Sequence, residues 1–117
     1  MKGDDIAERL LGLAAGILRL INGLPDTVAG RHITRQLIRS GTSCGANYEE
    51  ARSAESRADF AHKVSLAGKE VRESHYWLRL IFKAHMSQEQ DLADLCRESG
   101  ELVAILIASA RTAREPR

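Results

Sequence analysis

Residues 56–82 read SRADFAHKVSLAGKEVRESHYWLRLIF, and this stretch decides the fold. Its apolar and small residues recur at intervals of three and four, the spacing that places side chains on one face of an α-helix. These positions are Phe60, Val64, Ala67, Val71, Ser74, Leu78 and Ile81. Ser56 is a good N-cap residue, and Asp59 stands where the acidic member of a capping box belongs. We therefore predict an amphipathic helix over residues 56–85.

The same periodicity extends outward through the rest of the chain. It predicts helices over residues 4–22, 27–52 and 88–113, the last beginning at a second capping-box pattern formed by Ser87 and Gln90. Only two prolines occur, aromatic residues make up 4%, and no strand-like alternation appears. A length of 117 residues fits one domain, 1–117. Because short connections make successive helices antiparallel, we predict an all-α, up-down-up-down four-helix bundle.

The second predicted helix contains an unusual run of small residues, SGTSCGA, at 40–46. Two glycines would by themselves indicate a loop, since each costs about 1 kcal/mol in a helix. The apolar periodicity nevertheless continues from Leu37 to Tyr48. We interpret the segment as one long helix whose small residues let a neighbouring backbone approach closely. A break near Gly41 is the alternative.

The start of the sequence and its apolar runs indicate in which cell compartment the protein is expected. The start, MKGDDIAERL, is acidic and amphipathic and is not typical of a secretory signal. No apolar run reaches the roughly 20 residues needed to cross a membrane. We therefore expect a cytoplasmic protein with no membrane partner. In that compartment Cys44 and Cys96 are expected to be reduced, buried structural residues.

Signatures of catalysis fail. The sequence has no Gly-rich phosphate loop ending in Lys-Ser/Thr, no GxSxG elbow and no HExxH pair. We expect no enzymatic activity, no cofactor and no small-molecule substrate. The alternative from the same residues is a metalloprotein using Glu50, Glu70, Glu73 and a histidine.

Five polar residues share faces with the predicted core. Arg39, Asn47 and Glu50 lie on the second helix, and Glu70 and Glu73 lie on the third. One interpretation is a carboxylate pair for acid–base chemistry. The other, which we favour, is a partly buried ion and hydrogen-bond network that fixes helix register.

A basic row marks the second helix. Arg31, Arg35 and Arg39 recur every four residues, and no acidic residue lies between Asp26 and Glu49. Such a row is suited to nucleic-acid phosphates. A solvated helix face is the commoner explanation of such a row. Under the nucleic-acid hypothesis, these three arginines are the candidate contacts.

The third helix has more apolar residues than one face can hold. Tyr76, Trp77, Leu80, Ile81 and Phe82 cannot all point to one core. A helix that is apolar on more than one side packs on more than one side, and exposed apolar area marks an interface. We therefore predict a homo-oligomer, with Tyr76, Trp77 and Leu80 at the contact.

The ordered set of residues resembles the four-helix proteins related to those encoded by 23S rRNA intervening sequences. The approximate family pattern is Q-x-x-R-[AS]-x-x-S-x-x-x-N-[IY]-x-E-[GA], then S-x-x-D-F, then a helix with E-x-x-[EY]-W-L. The residues that match it are Gln36, Arg39, Ser40, Ser43, Asn47, Tyr48, Glu50, Ala51, Ser56, Asp59, Phe60, Ala67, Glu70, Glu73, Ser74, Tyr76, Trp77 and Leu78.

This resemblance implies a bacterial protein that forms a homo-oligomeric ring, typically a homopentamer, with no enzymatic activity. The resemblance also extends to a related branch of the family, the accessory variability determinants of diversity-generating retroelements. Proteins of that branch work with a reverse transcriptase and bind nucleic acid. The resulting hypothesis is an oligomeric scaffold that binds RNA, DNA or an RNA-handling enzyme such as a reverse transcriptase. A purely structural protein–protein interaction module is the alternative.

Overall fold

The computed structural model describes residues 3–116, so Met1, Lys2 and Arg117 of the predicted domain lie outside the described residues. This part of the chain is all-α and contains no strand. Its helices are α1 (Asp4–Ile21), α2 (Val28–Arg52), α3 (Arg57–Lys83) and α4 (Leu92–Arg114). The predicted end of α1 and the predicted start of α2 each differ from these bounds by one residue.

Each helix packs against two others. α2 contacts α1 and α3, and α4 contacts α1 and α3, so the four helices surround one core in a body measuring 50 × 21 × 21 Å. The inward faces are those that the periodicity marks. Leu13, Leu37, Val71 and Leu106, one from each helix, are all almost fully buried.

α2 passes through the small-residue run at 40–46 without a break, as predicted. Gly41 packs directly on α1, where an added Cβ would lie only 2.8 Å from Cδ1 of Ile17. Ser40 faces α3 instead, and its hydroxyl lies 2.8 Å from that of Ser74 in a fully buried pair. Small side chains therefore bring α2 close to both of its neighbours.

The predicted turn between α3 and α4 is wrong in length. α3 ends at Lys83, and the next residues form a Schellman-type turn: His85 is left-handed, with a φ of 54°, and the amide of Met86 donates to the carbonyl of Ile81 at 3.0 Å. α4 begins only at Leu92, after the N-cap Asp91. The hydroxyl of Ser87 accepts from the amide of Glu89, a local turn and not a helix cap.

Candidate nucleic-acid interface

The basic row of α2 is divided by its ion pairs. Arg31 lies 2.8 Å from the carboxylate of Asp26, just before the helix. Arg39 donates to two carboxylates of α3, Glu70 at 3.1 Å and Glu73. Arg35 is exposed and makes no ion pair within residues 3–116. Two of the three predicted phosphate contacts are therefore already paired with carboxylates in the folded chain.

The Arg39 cluster joins α2 to α3 through hydrogen bonds. The hydroxyl of Ser43 donates to Glu70 at 3.1 Å, and the indole N–H of Trp77 donates to Glu73 at 3.0 Å. Partial burial favours the protonated form of Glu73, but the bonds from Arg39 and Trp77 outweigh it and lower its pKa below the usual range. These bonds hold the Glu73 carboxylate in place and favour its charged form.

The predicted polar network is only partly assembled. The structure brings Arg39, Glu70 and Glu73 together, but Asn47 and Glu50 make no hydrogen bond to them within the described residues. Glu50 is exposed and Asn47 is half-buried. Asn47 stands eight residues, and Glu50 eleven, after Arg39 in α2, which puts them roughly 12 Å and 17 Å further along the helix. Eleven residues are close to three whole turns, so the spacing places Glu50 on the same helix face as Arg39 but not at the same level.

The aromatic candidates lie beside this cluster. Tyr76 is 58% exposed, whereas Trp77 and Leu80 are half-buried. The ring of Trp77 makes edge-on contacts with His32 at 5.8 Å and with Tyr76 at 5.2 Å between centroids. Tyr76 thus presents an open aromatic surface, while Trp77 is fixed between α2 and α3.

A second basic row, which is hidden in the sequence by the intervening Glu70 and Glu73, runs along α3. Lys69, Arg72, Arg79 and Lys83 are all exposed, and none makes an ion pair within residues 3–116. Their positions fall at intervals of three, seven and four, so they share one helix face, here called the α3 cationic face. Tyr76 stands in the middle of it. At 1.5 Å per residue, the face is about 21 Å long.

A shallow groove between α3 and α4 lies beside the α3 cationic face. Lys69 and Arg72 line it from α3 and Arg114 lines it from α4, and its described lining includes no acidic residue. The guanidinium of Arg114 is held by the hydroxyl of Ser65 at 2.8 Å. The carboxylates of α3, Glu70 and Glu73, lie on the adjacent face against Arg39. Positive charge is therefore segregated towards α4.

The surroundings of three reactive side chains, Cys44, His75 and Ser99, are typical of residues with a structural role. Burial raises the pKa of the Cys44 thiol to about 11, and Cys44 is fully buried. His75 lies 2.9 Å from the hydroxyl of Ser99, but Ser99 is fully buried and also donates to the carbonyl of Cys96. Burial is the larger cause that lowers the pKa of His75, and the charge of Arg79 lowers it further. Within residues 3–116, no three His, Cys, Asp or Glu side chains are grouped to hold a metal ion.

Fold and surface together define an all-α protein of four packed helices, with a segregated basic face and with Cys44 and Ser99 fully buried. In the described part of the chain, no helix has the length and apolar character required to span a bilayer. Residues 4–108 match the family of 23S rRNA-intervening sequence proteins. The chain belongs to that family.

A solved structure supports the same placement. The chain is 33% identical to a Bacteroides thetaiotaomicron protein of unknown function from the S23 ribosomal protein family. The similarity covers 91% of this chain and 98% of the other, with a TM-score of 0.79. No curated protein matches the sequence.

Proposed function

We propose that this protein is a non-enzymatic scaffold of the bacterial cytoplasm that binds structured RNA through the α3 cationic face. The scaffold is an up-down-up-down bundle that assembles from several copies, in the ring form implied by the family resemblance. One observation carries the RNA-binding part: four exposed cations share a helix face with an exposed tyrosine and have no carboxylate partners within residues 3–116.

Charge pairing explains why α3 is the better candidate than α2. A cation already bonded to a carboxylate must break that contact to meet a phosphate, and it then brings a repelling carboxylate near the nucleic acid. Arg31 and Arg39 are in this position. Among the described residues, no carboxylate pairs with Lys69, Arg72, Arg79 or Lys83. Phosphate contacts release condensed counterions, which drives binding. Tyr76 adds a ring on which an unpaired base can stack.

Contacts between helix ends support the up-down-up-down part. Asp4 at the start of α1 pairs with Arg52 at the end of α2. Arg57 at the start of α3 donates to the carbonyl of Glu115, just beyond α4, at 2.8 Å. Such contacts are expected where successive helices run in opposite directions.

The absence of catalysis is proposed because two nucleophile candidates are enclosed and because burial raises the pKa of a third, the half-buried thiol of Cys96. Ser99 and Cys44 are fully buried, and the thiolate of Cys44 is disfavoured by its raised pKa. Metal analysis of protein purified without chelator tests the alternative based on Glu50, Glu70, Glu73 and a histidine. Stoichiometric bound metal would replace the scaffold proposal with that alternative.

Salt-dependent binding of a fluorescein-labelled structured RNA, followed by anisotropy, tests the interface. With four phosphate contacts, the logarithm of the affinity should fall with the logarithm of salt with a slope of roughly −3 to −4. The double variant Lys69→Gln/Arg72→Gln should reduce that slope by about two. A matched double variant, Arg19→Gln/Arg97→Gln, removes the same net charge from exposed sites elsewhere and should leave the slope unchanged.

Two results would contradict this proposal. Binding that is absent or insensitive to salt at micromolar protein would remove the RNA-binding part. If the slope is reduced in Arg31→Gln/Arg35→Gln and unchanged in the α3 double variant, the RNA-binding site lies on α2. The mass of each variant is measured alongside, because a change in assembly also changes apparent affinity.

A further inference from the structure

An open cavity receives side chains from all four helices. Ile6 of α1, Tyr48 of α2, Phe60 of α3 and Ser109 of α4 all line it. Its volume is about 670 Å³, which falls in the range usual for small-molecule sites. Ile6 and Phe60 are half-buried and pack against the hydrophobic core, so they supply an apolar surface that the core holds in place. We call this space the four-helix cavity.

The hydroxyl of Tyr48 faces the four-helix cavity from an almost fully buried side chain. Tyr48 is only 3% exposed, and among residues 3–116 its hydroxyl has no hydrogen-bond partner. No fully buried side-chain oxygen or nitrogen in this part of the chain lacks a partner. The hydroxyl is therefore the small part of Tyr48 that reaches the cavity, which Tyr48 lines. A phenol placed in this way can donate a hydrogen bond to a bound molecule.

Gly3 leaves space in front of this hydroxyl. Its φ is 90°, in the left-handed region, and an added Cβ would lie 2.8 Å from the hydroxyl oxygen of Tyr48 and 3.6 Å from Nε of Arg52. The terminal nitrogens of Arg52 bond to Glu49 and Asp4. Within residues 3–116, no acceptor bonds to the Nε–H of Arg52. Two donors, one O–H and one N–H, therefore lie close to a point that a side chain at position 3 would fill.

The charges beside the cavity decide what kind of acceptor fits. Arg52 is bonded to the carboxylates of Asp4 and Glu49, and Glu49 lines the cavity with 61% of its side chain exposed. Burial is the main cause that raises the pKa of Tyr48, so its hydroxyl stays protonated at neutral pH. An anion without a positive group would meet these two donors but also two repelling carboxylates. A molecule with both a carboxylate and an ammonium group satisfies the donors and Glu49 together.

From this juxtaposition we propose that the four-helix cavity binds a free α-amino acid with an apolar side chain. The carboxylate of the amino acid accepts hydrogen bonds from the Tyr48 hydroxyl and the Nε–H of Arg52. Its ammonium group donates to Glu49, and its side chain packs on Ile6 and Phe60. No residue of the α3 cationic face lines this cavity, so the site goes beyond the proposed function and does not depend on RNA binding.

Isothermal titration calorimetry of the full chain with L-phenylalanine, in the absence of RNA, tests the site. L-Phenylalanine carries the carboxylate, the ammonium group and an apolar ring, and it should bind saturably. 3-Phenylpropionate lacks the ammonium group and 2-phenylethylamine lacks the carboxylate, so each should bind at least about tenfold more weakly. Tyr48→Phe deletes one oxygen and keeps the ring. It should weaken the binding of L-phenylalanine about tenfold, because a hydrogen bond to a charged group is lost.

Controls separate loss of binding from loss of folding. Thr42→Val removes a hydroxyl from the same helix outside the cavity and should leave the affinity for L-phenylalanine unchanged. Far-UV circular dichroism checks that Tyr48→Phe is folded, and the two analogues test the proposal on the unaltered protein. The proposal is overturned by a wild type that does not bind L-phenylalanine at millimolar concentration, by an analogue that binds as tightly as L-phenylalanine, or by a Tyr48→Phe variant that keeps the wild-type affinity.

Discussion

Gly41 lies where α2 packs closely on α1. An added Cβ would lie 2.8 Å from Cδ1 and 3.2 Å from Cγ2 of Ile17, which is itself fully buried. A core packed to this density cannot absorb a methyl group without moving side chains. At Gly12, by contrast, an added Cβ meets no atom within 4 Å. Adding a Cβ at Gly41 is therefore expected to destabilise the protein, whereas adding one at Gly12 is not, although both glycines lie inside helices.

We predict that Gly41→Ala lowers the free energy of unfolding by up to about 2 kcal/mol. Overpacking costs about 1–3 kcal/mol, and the better helix propensity of alanine returns about 1 kcal/mol. Gly12→Ala has the propensity gain alone and should raise the free energy of unfolding by up to about 1 kcal/mol. Urea titrations at one protein concentration measure both. Equal stabilisation by the two substitutions would show that α2 does not need a glycine at position 41.

At the scale of the helix, Ser56 and Ser87 occupy the same pattern but have different roles. The hydroxyl of Ser56 accepts from the amide of Asp59 at 3.0 Å and caps α3, whereas Ser87 bonds within a turn that precedes α4 by several residues. We predict that Ser56→Ala lowers the free energy of unfolding by about 1 kcal/mol, the usual value of an N-cap. Ser87→Ala should change it by less than about 0.5 kcal/mol. Similar losses in denaturant titrations of both variants would mean that Ser87 also stabilises a helix end.

Elements of this fold are predictable from sequence wherever the evidence is local. Apolar spacing predicts all four helices, and it also predicts that α2 continues through Gly41 and Gly45. The start of α4 was not predictable in the same way. Ser87 and Gln90 match a capping box, but the chain has first to leave α3 through the left-handed residue His85. The residue type does not predict that turn, because His adopts the left-handed conformation only occasionally.

The whole molecule is tied together by ion pairs that join residues far apart in the sequence. Arg39 reaches Glu70 and Glu73, 31 and 34 residues away, and Arg9 reaches Glu98, 89 residues away. Sequence shows which residues carry charge but not which charges neutralise one another. For this reason the pattern of arginines favoured α2 as the basic surface, while within residues 3–116 the cations without carboxylate partners are concentrated on α3.

The Arg9–Glu98 pair makes stability depend on pH in a definite direction. Arg9 donates two hydrogen bonds to Glu98, at 2.8 Å and 2.6 Å, and these bonds lower the pKa of the carboxyl group. The folded state therefore binds fewer protons at this site than the unfolded state, whose glutamate pKa is about 4.3. The stabilisation is present above that value and is lost as the pH falls through the lower folded pKa. Asp4, Asp59 and Glu73 also have lowered pKa values and act in the same direction.

We predict that Glu98→Gln lowers the free energy of unfolding by about 1 kcal/mol at pH 7, a modest value because about a third of each side chain is exposed. The difference from the wild type should shrink as the pH falls through the lowered folded pKa of Glu98, because the wild-type carboxylate then becomes protonated as well. Glu50→Gln, at an exposed carboxylate outside the Arg39 cluster, should change stability by less than about 0.5 kcal/mol at any pH. Denaturant titrations between pH 3 and pH 8 measure both variants. If the loss of stability in Glu98→Gln does not depend on pH, the side chain stabilises α1 against α4 by packing. If Glu50→Gln loses as much stability as Glu98→Gln, Glu50 also helps to hold the helices together.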